Sequence, residues 1–263
     1  MKLSNALIVY ANPTTKEHQS TLDNVKHILK EHRISYNLAN RDRLGKSQFK
    51  NKGFIIAVGG DGTFLRAAHF VKDQVIFGVN ADSKNKEGFF MQSHKRNFEA
   101  KLTKLIMGEI MIKKMPRLEA YINNNKIDNL ALNEFFIGAK KAYQSAKYKI
   151  GINGKKEAQK SSGILVTTPA GSYSWAKSCY GKTLDLDSKK FQLVVREPYE
   201  GKIFRNYKLS YCVLNRNQKV TIISEMLDGI IIADSVGKEY RFKNGSKATI
   251  KLSNSSLNVV WQE

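Results

Sequence analysis

An unbroken apolar run, Phe54-Ile55-Ile56-Ala57-Val58, leads straight into Gly59-Gly60-Asp61-Gly62-Thr63. Five apolar residues without alternation predict a strand covered on both faces, as in a parallel sheet. Three of the next four residues are glycine, which permits positive φ and lets a ligand approach bare backbone. Thr63 to Phe70 then reads as a helix whose first N–H groups and positive dipole end face the turn. A second apolar run, Val75-Ile76-Phe77-Gly78-Val79, returns the chain to the sheet. Strand, turn, helix, strand in that order predicts a parallel α/β arrangement with an anion site at the turn.

The rest of the first hundred residues keeps that rhythm. Leu7-Ile8-Val9-Tyr10 is strand-like, and Leu22, Val25, Ile28 and Leu29 recur at helical spacing between Ser20 and His32. An amphipathic stretch from Phe98 to Met107 closes this half. From about residue 110 the texture changes to short β runs separated by turns. Leu118–Ile122 is turned by Asn123-Asn124-Asn125, and Lys147–Ile152 by Asn153-Gly154. Further runs at 191–195, 219–223 and 229–233 suggest a sandwich or open antiparallel assembly. The expected organisation is an α/β nucleotide-binding domain over 1–105 and a β-rich, sandwich-like domain over 106–244, meeting at a cleft. The tail from about 245 to 263 can pack back on the first domain.

At 263 residues the chain is long enough for one large domain or two ordinary ones. No apolar run approaches the ~20 residues of a membrane span, and the strand-like amino terminus reads as neither signal nor transit peptide. Cys179 and Cys212 lack metal-ligand spacing and read as reduced thiols of a cytoplasmic protein. Lys+Arg number 44 against 23 Asp+Glu, a net charge of +21. A field of that size attracts polyanions, yet the cations are dispersed, and a Lys-rich solvated surface accounts for them equally well. Aromatic residues do not interleave with basic ones, so nucleic acid is not the expected main ligand.

Three segments carry chemistry. Asp61 is an odd residue for a pure phosphate cradle. A carboxylate there suits holding a metal ion or taking a proton from an attacking hydroxyl, while a tight Gly-Asp-Gly turn is the plain structural alternative. Neither G-x-x-x-x-G-K-[ST] nor G-x-G-x-x-G is present. Asn133-Glu134 interrupts the apolar run 131–137, and buried polar groups there need partners that ribose hydroxyls could supply; a capped strand end is the alternative. Finally, Ser162 to Trp175 carries a β run through Thr167-Thr168-Pro169-Ala170-Gly171 into a hydroxyl-rich predicted helix start, with Trp175 as a flat surface for a base. An ordinary N-capped helix with a core tryptophan would read the same way.

In this order and spacing, GGDGT at 59–63, Asn-Glu at 133–134 and SGILVTTPAGSYSW at 162–175 resemble the NAD kinase family. Gly78-Val79-Asn80, Pro116-Arg117-Leu118 and Asp228-Gly229 add flanking matches, so the resemblance spans roughly 54–235. GGDGT alone is shared with diacylglycerol and sphingosine kinases and has a relative in phosphofructokinases. A lipid kinase of that type, or a non-catalytic dinucleotide-binding protein, is the rival reading. Ser162 stands where the family usually has Asp, and Ser174-Trp175 where it has Ala-Tyr. With Arg196-Glu197-Pro198, these look more like the divergent mitochondrial-type NAD kinases and leave NAD or NADH open as the preferred substrate.

The resemblance implies ATP with Mg²⁺ as phosphoryl donor and a homodimer or homotetramer. Asp61 would accept the proton of the 2′-hydroxyl of the adenosine ribose. Gly59, Gly60, Gly62, Thr63 and Arg66 would surround the ATP phosphates. NAD would contact Asp61, Gly62, Asn133, Glu134, Lys160, Ser162, Ala170, Tyr173, Ser174, Trp175 and Ser178. No residue is assigned as a resident metal ligand.

Overall fold

The computed structural model describes residues 4–262. The chain divides into two compact units: one runs to Lys114 and resumes at Leu257, and the other is Met115–Ser256. The division therefore lies later than residue 105. The returning tail starts at Leu257 rather than near 245, because Lys247–Leu252 is a strand of the second unit, paired on both sides.

In the first unit, β1 (Asn5–Tyr10), β2 (Ser35–Asn40), β3 (Phe54–Gly59) and β4 (Val75–Asn80) pair in parallel in the order β2-β1-β3-β4. Leu257–Val260 continues the sheet in parallel beside β4, and Ile112–Met115 follows it. All six residues of β3 are buried, as its apolar run requires. β2 has no such run: of Ser35–Asn40 only Ala39 is buried, because an edge strand needs little apolar cover. Helix α1 (Lys16–Glu31) begins before Ser20, where Thr15 accepts the N–H of His18 as its N-cap. Helix α2 (Asp61–Ala68) follows the glycine turn, and α3 (Phe98–Met107) ends at Gly108 with φ +76°. Leu22, Val25 and Leu29 of α1 and Phe98 and Leu102 of α3 pack with Ile8, Ile56 and Phe77 of the sheet.

The second unit holds two six-stranded sheets, with antiparallel pairing wherever a register is defined. One runs Lys155–Ser161, Ala146–Ile152, Val220–Ser224, Lys247–Leu252, Leu118–Ile122, Asn125–Lys126. The other runs Tyr211–Asn215, Lys190–Val195, Ile164–Thr167, Glu134–Ala139, Gly229–Ala233, Tyr240–Arg241. Tyr148, Ile150, Ile222 and Ile250 of the first share one core with Phe135, Ile137, Val166 and Leu193 of the second, which makes a sandwich. Asn153 (φ +50°) and Gly154 (φ +81°) form a two-residue hairpin turn. Arg117, 2% exposed, ties the start of this unit to its end by donating to Ser255 and to the Ser256 carbonyl. Both cysteines are free. Among the described residues no helix is long and apolar enough to cross a membrane.

Candidate functional site

In the first unit the glycine turn is built by contact. A Cβ on Gly59 would lie 2.4 Å from the Thr63 hydroxyl, and one on Gly60 would lie 3.1 Å from Cδ of Lys86. Bare backbone therefore lets the first turn of α2 close on β3 and lets the Lys86 side chain lie over Gly60. The Thr63 hydroxyl accepts from Arg41 Nη1 at 3.2 Å. Arg66 faces Asp42 at 3.8 Å, so the cation predicted at the phosphates already has a carboxylate neighbour.

Asp61 opens α2, and its two carboxylate oxygens accept the N–H groups of Phe89 (2.9 Å) and Phe90 (2.8 Å). Burial pushes its pKa up from the usual carboxylate value; the two N–H bonds oppose that shift and the charge of Glu87 adds to it. A carboxylate so raised lies closer to the working range of a general base. The same bonds fix the loop after β4, which Asn80 also holds through the Lys86 carbonyl at 3.0 Å. Arg41 and Lys86 were not singled out in the sequence, where nothing distinguishes them from the other cations. His18 is 1% exposed with neither ring nitrogen partnered; burial and the charges of Lys86 and Arg41 lower its pKa, against an opposing effect of Asp82.

In the second unit the two remaining motifs come together. The Asn133 carbonyl accepts from Thr168 N (2.8 Å) and from the Thr167 hydroxyl (3.0 Å). A Cβ on Gly171 would sit 2.1 Å from that carbonyl. Register places Thr167 opposite Glu134 and Leu165 opposite Phe136. Strand alternation sends Phe135 and Ile137 into the core and leaves Glu134 and Phe136 on the other face. There Phe136 stacks on Trp175 with ring centroids 5.4 Å apart, and the Arg196 guanidinium lies 4.3 Å from the Trp175 ring centre. The tryptophan expected as an open platform is thus already engaged. Ala170 is buried, and Tyr173, Ser174 and Ser178 are exposed. The predicted helix is only a 3₁₀ turn, Ala170–Tyr173, and a four-residue turn, Trp175–Ser178. Gly171, Ser172 and Ser174 are weak helix formers, so this segment offers no helix-end anion site.

Ser162 donates from its hydroxyl to Glu197, whose backbone is left-handed at φ +45°. Lys160 lies 4.5 Å over the Tyr199 ring. Lys160, Ser162, Glu197 and Tyr199 line an open pocket of about 460 Å³. The carboxylate missing at position 162 therefore has a counterpart at 197.

Glu134 is 3% exposed; burial and then the charge of Asp234 push its pKa up to about 8. Its Oε2 and the Oδ1 of Asn133 are buried without hydrogen-bond partners, whereas most buried polar atoms are paired. Asp234 was missed in the sequence, where Asp228-Gly229 drew attention instead. Asp228 is exposed, whereas Asp234 is 2% exposed and accepts the N–H groups of Leu132, Asn133 and Glu134. An acid ending the apolar run 229–233 was the available signal. Among the described residues no group of three or more His, Cys, Asp or Glu could hold a metal ion.

Comparison with known proteins matches residues 7–110 to the family model described as the ATP-NAD kinase N-terminal domain. A probable NADH kinase of Oryza sativa subsp. japonica is 22% identical over 100% of this chain and 87% of that protein. An NAD kinase of Thermoplasma volcanium is 28% identical over 78% of this chain and 72% of that one. The crystal structure of an NAD kinase from Archaeoglobus fulgidus in complex with ATP superposes with a TM-score of 0.80 at 25% identity, covering 98% of this chain and 94% of that one.

Proposed function

Because this chain belongs to the NAD kinase family, we propose that it transfers the γ-phosphoryl group of ATP to the 2′-hydroxyl of the adenosine ribose of NAD or NADH, giving NADP or NADPH. The observation that carries this reading is the Asp61 carboxyl. Burial raises its pKa, and it follows a bare glycine turn where Lys86 lies over Gly60 and Arg41 donates to the Thr63 hydroxyl. The ribose O2′ attacks Pγ in line, the bond from Pγ to the bridging oxygen breaks, ADP leaves, and Asp61 takes the hydroxyl proton.

Gly59, Gly60, Gly62 and Thr63 lie along the ATP phosphates, and Arg41, Arg66 and Lys86 neutralise them. Mg²⁺ enters with ATP as part of the substrate; among the described residues no group of three or more His, Cys, Asp or Glu could hold a resident ion. Asn133 and Glu134 contact the ribose and phosphates of NAD, and their orphaned oxygens support that role. Gly62, Lys160, Ser162, Ala170, Tyr173, Ser174, Trp175 and Ser178 complete the dinucleotide contacts. The two free cysteines support a cytoplasmic protein, and the family resemblance supports a homodimer or homotetramer; light scattering on a sizing column tests the assembly.

The deciding assay incubates the protein with MgATP and either NAD or NADH and measures the phosphorylated product. Product formation dependent on Asp61 is expected. Absence of product with both dinucleotides, from a folded protein, would overturn the assignment.

A further inference from the structure

Two carboxyl groups are buried side by side in the second unit. Asp234 accepts N–H bonds from Leu132 (3.0 Å), Asn133 (2.6 Å) and Glu134 (3.2 Å), and its own N–H donates to the Glu134 carbonyl at 2.9 Å. Asp234 and Ser235 both adopt left-handed backbone, at φ +53° and +55°, which turns that carboxylate back onto the strand. Three backbone N–H donors thus converge on one carboxylate. Glu134 has the opposite surroundings. Its Oε1 receives one long contact, 3.5 Å from the Ser235 hydroxyl, and its Oε2 receives none.

The groups that face Glu134 are Asp234 and Ser235 from the turn after Gly229–Ala233, and Thr167 from the strand opposite. The Thr167 hydroxyl is already spent on the Asn133 carbonyl. Among the described residues no lysine, arginine or histidine pairs with Glu134. An ionised Glu134 would be a buried carboxylate beside Asp234 with no cation paired to Glu134 itself, and such a group takes up a proton instead.

We propose that Asp234 is a positioning residue of the dinucleotide site, which fixes the backbone of 132–134 and keeps Glu134 protonated, so that Glu134 meets the nucleotide as a hydrogen-bond donor. A neutral acid adds no repulsion toward a pyrophosphate, and its O–H suits a ribose or phosphate oxygen as acceptor. The inference rests on the reading that this unit holds the dinucleotide. Burial and the Asp234 charge, which push the Glu134 pKa up to about 8, agree with it.

The test separates protonation from binding. Infrared spectra of the nucleotide-free protein at pH 7 should show a protonated carboxyl band that disappears in Glu134→Gln. Absence of that band in the wild type overturns the proposal whatever the protein binds. NAD affinity, measured by calorimetry with NAD alone, should hold below pH 8 and fall by about tenfold per pH unit above it, as for one ionising group. In Glu134→Gln the profile should be flat. Asp234→Asn should move the midpoint to lower pH; a purely structural Asp234 would weaken binding equally at every pH, and that result overturns its charge role. If Asp234→Asn does not fold, the wild-type spectrum and the Glu134→Gln profile still decide. A carboxyl band without NAD binding at any pH overturns the ligand role together with the dinucleotide reading, and leaves the proton on Glu134 established.

Discussion

The Asp61 carboxylate accepts the backbone N–H of Phe90 at 2.8 Å, which ties the first turn of α2 to the loop after β4. Phe90 in turn stacks on Phe64 of the same helix with ring centroids 4.9 Å apart. The proposed base is therefore also a structural acceptor, and it holds the loop from which Lys86 reaches over Gly60. Two demands on one side chain explain why a carboxylate stands in a turn that phosphate binding alone would leave uncharged.

Replacing Asp61 by Asn should remove the base while its single amide oxygen keeps one of the two N–H bonds. Turnover is expected to fall by roughly 10²-fold or more, the scale for loss of a general base, while NAD still binds. In the wild type kcat/KM should rise with pH through a point above the usual carboxylate range, because the base must be ionised and burial raises its pKa. Steady-state kinetics across pH 4–9 and calorimetry with NAD check both statements; near-normal turnover in the variant would remove Asp61 from the mechanism.

Lys86→Met should raise KM for ATP by about tenfold, the value of one charge-assisted contact, with little change in the affinity for NAD. Binding of inorganic tripolyphosphate should weaken in parallel. Equal losses toward ATP and NAD would mean that Lys86 only supports the loop.

Two glycines should respond in opposite ways to alanine. At Gly171 a Cβ meets the Asn133 carbonyl at 2.1 Å, whereas at Gly62 nothing lies within 4 Å. Gly171→Ala should destabilise the fold by about 1–3 kcal/mol as an overpacked site. Gly62→Ala, inside α2, should keep or raise the melting temperature, since alanine is the better helix former. Urea unfolding of the two variants makes the comparison, and equal midpoints would contradict it.

Glu134 also predicts a pH-dependent stability. Its folded pKa of about 8 lies above the unfolded carboxylate value of about 4.5. The neutral acid's contribution is thus fully present below that lower value and is lost as pH rises through 8. Glu134→Gln has no such loss, so its melting temperature should gain on the wild type from about pH 5 and stop gaining above about pH 8. A constant difference across that range would show that Glu134 is ionised when folded.

Much of the fold was legible because the signals are local. The run Phe54–Val58 needs cover on both faces, and Phe98–Met107 repeats at helical spacing within a single element. Asn153-Gly154 meets the positive φ of a two-residue hairpin by itself. β2 was not legible, since an edge strand shows no apolar run, and neither was the return of Leu257–Val260 to β4, a pairing set some 180 residues away in the chain.

The sequence by itself determined where a phosphate could meet bare backbone and an acid, because Gly59 to Thr63 lies within one strand-turn-helix unit. Only the tertiary structure decided what state that chemistry is in. It set Lys86 over Gly60, gave both Asp61 oxygens to Phe89 and Phe90, engaged Trp175 with Phe136 and Arg196, and put Asp234 against the backbone of Glu134. Each of these depends on burial and on distances between residues far apart in the chain, and desolvation and charge act through space.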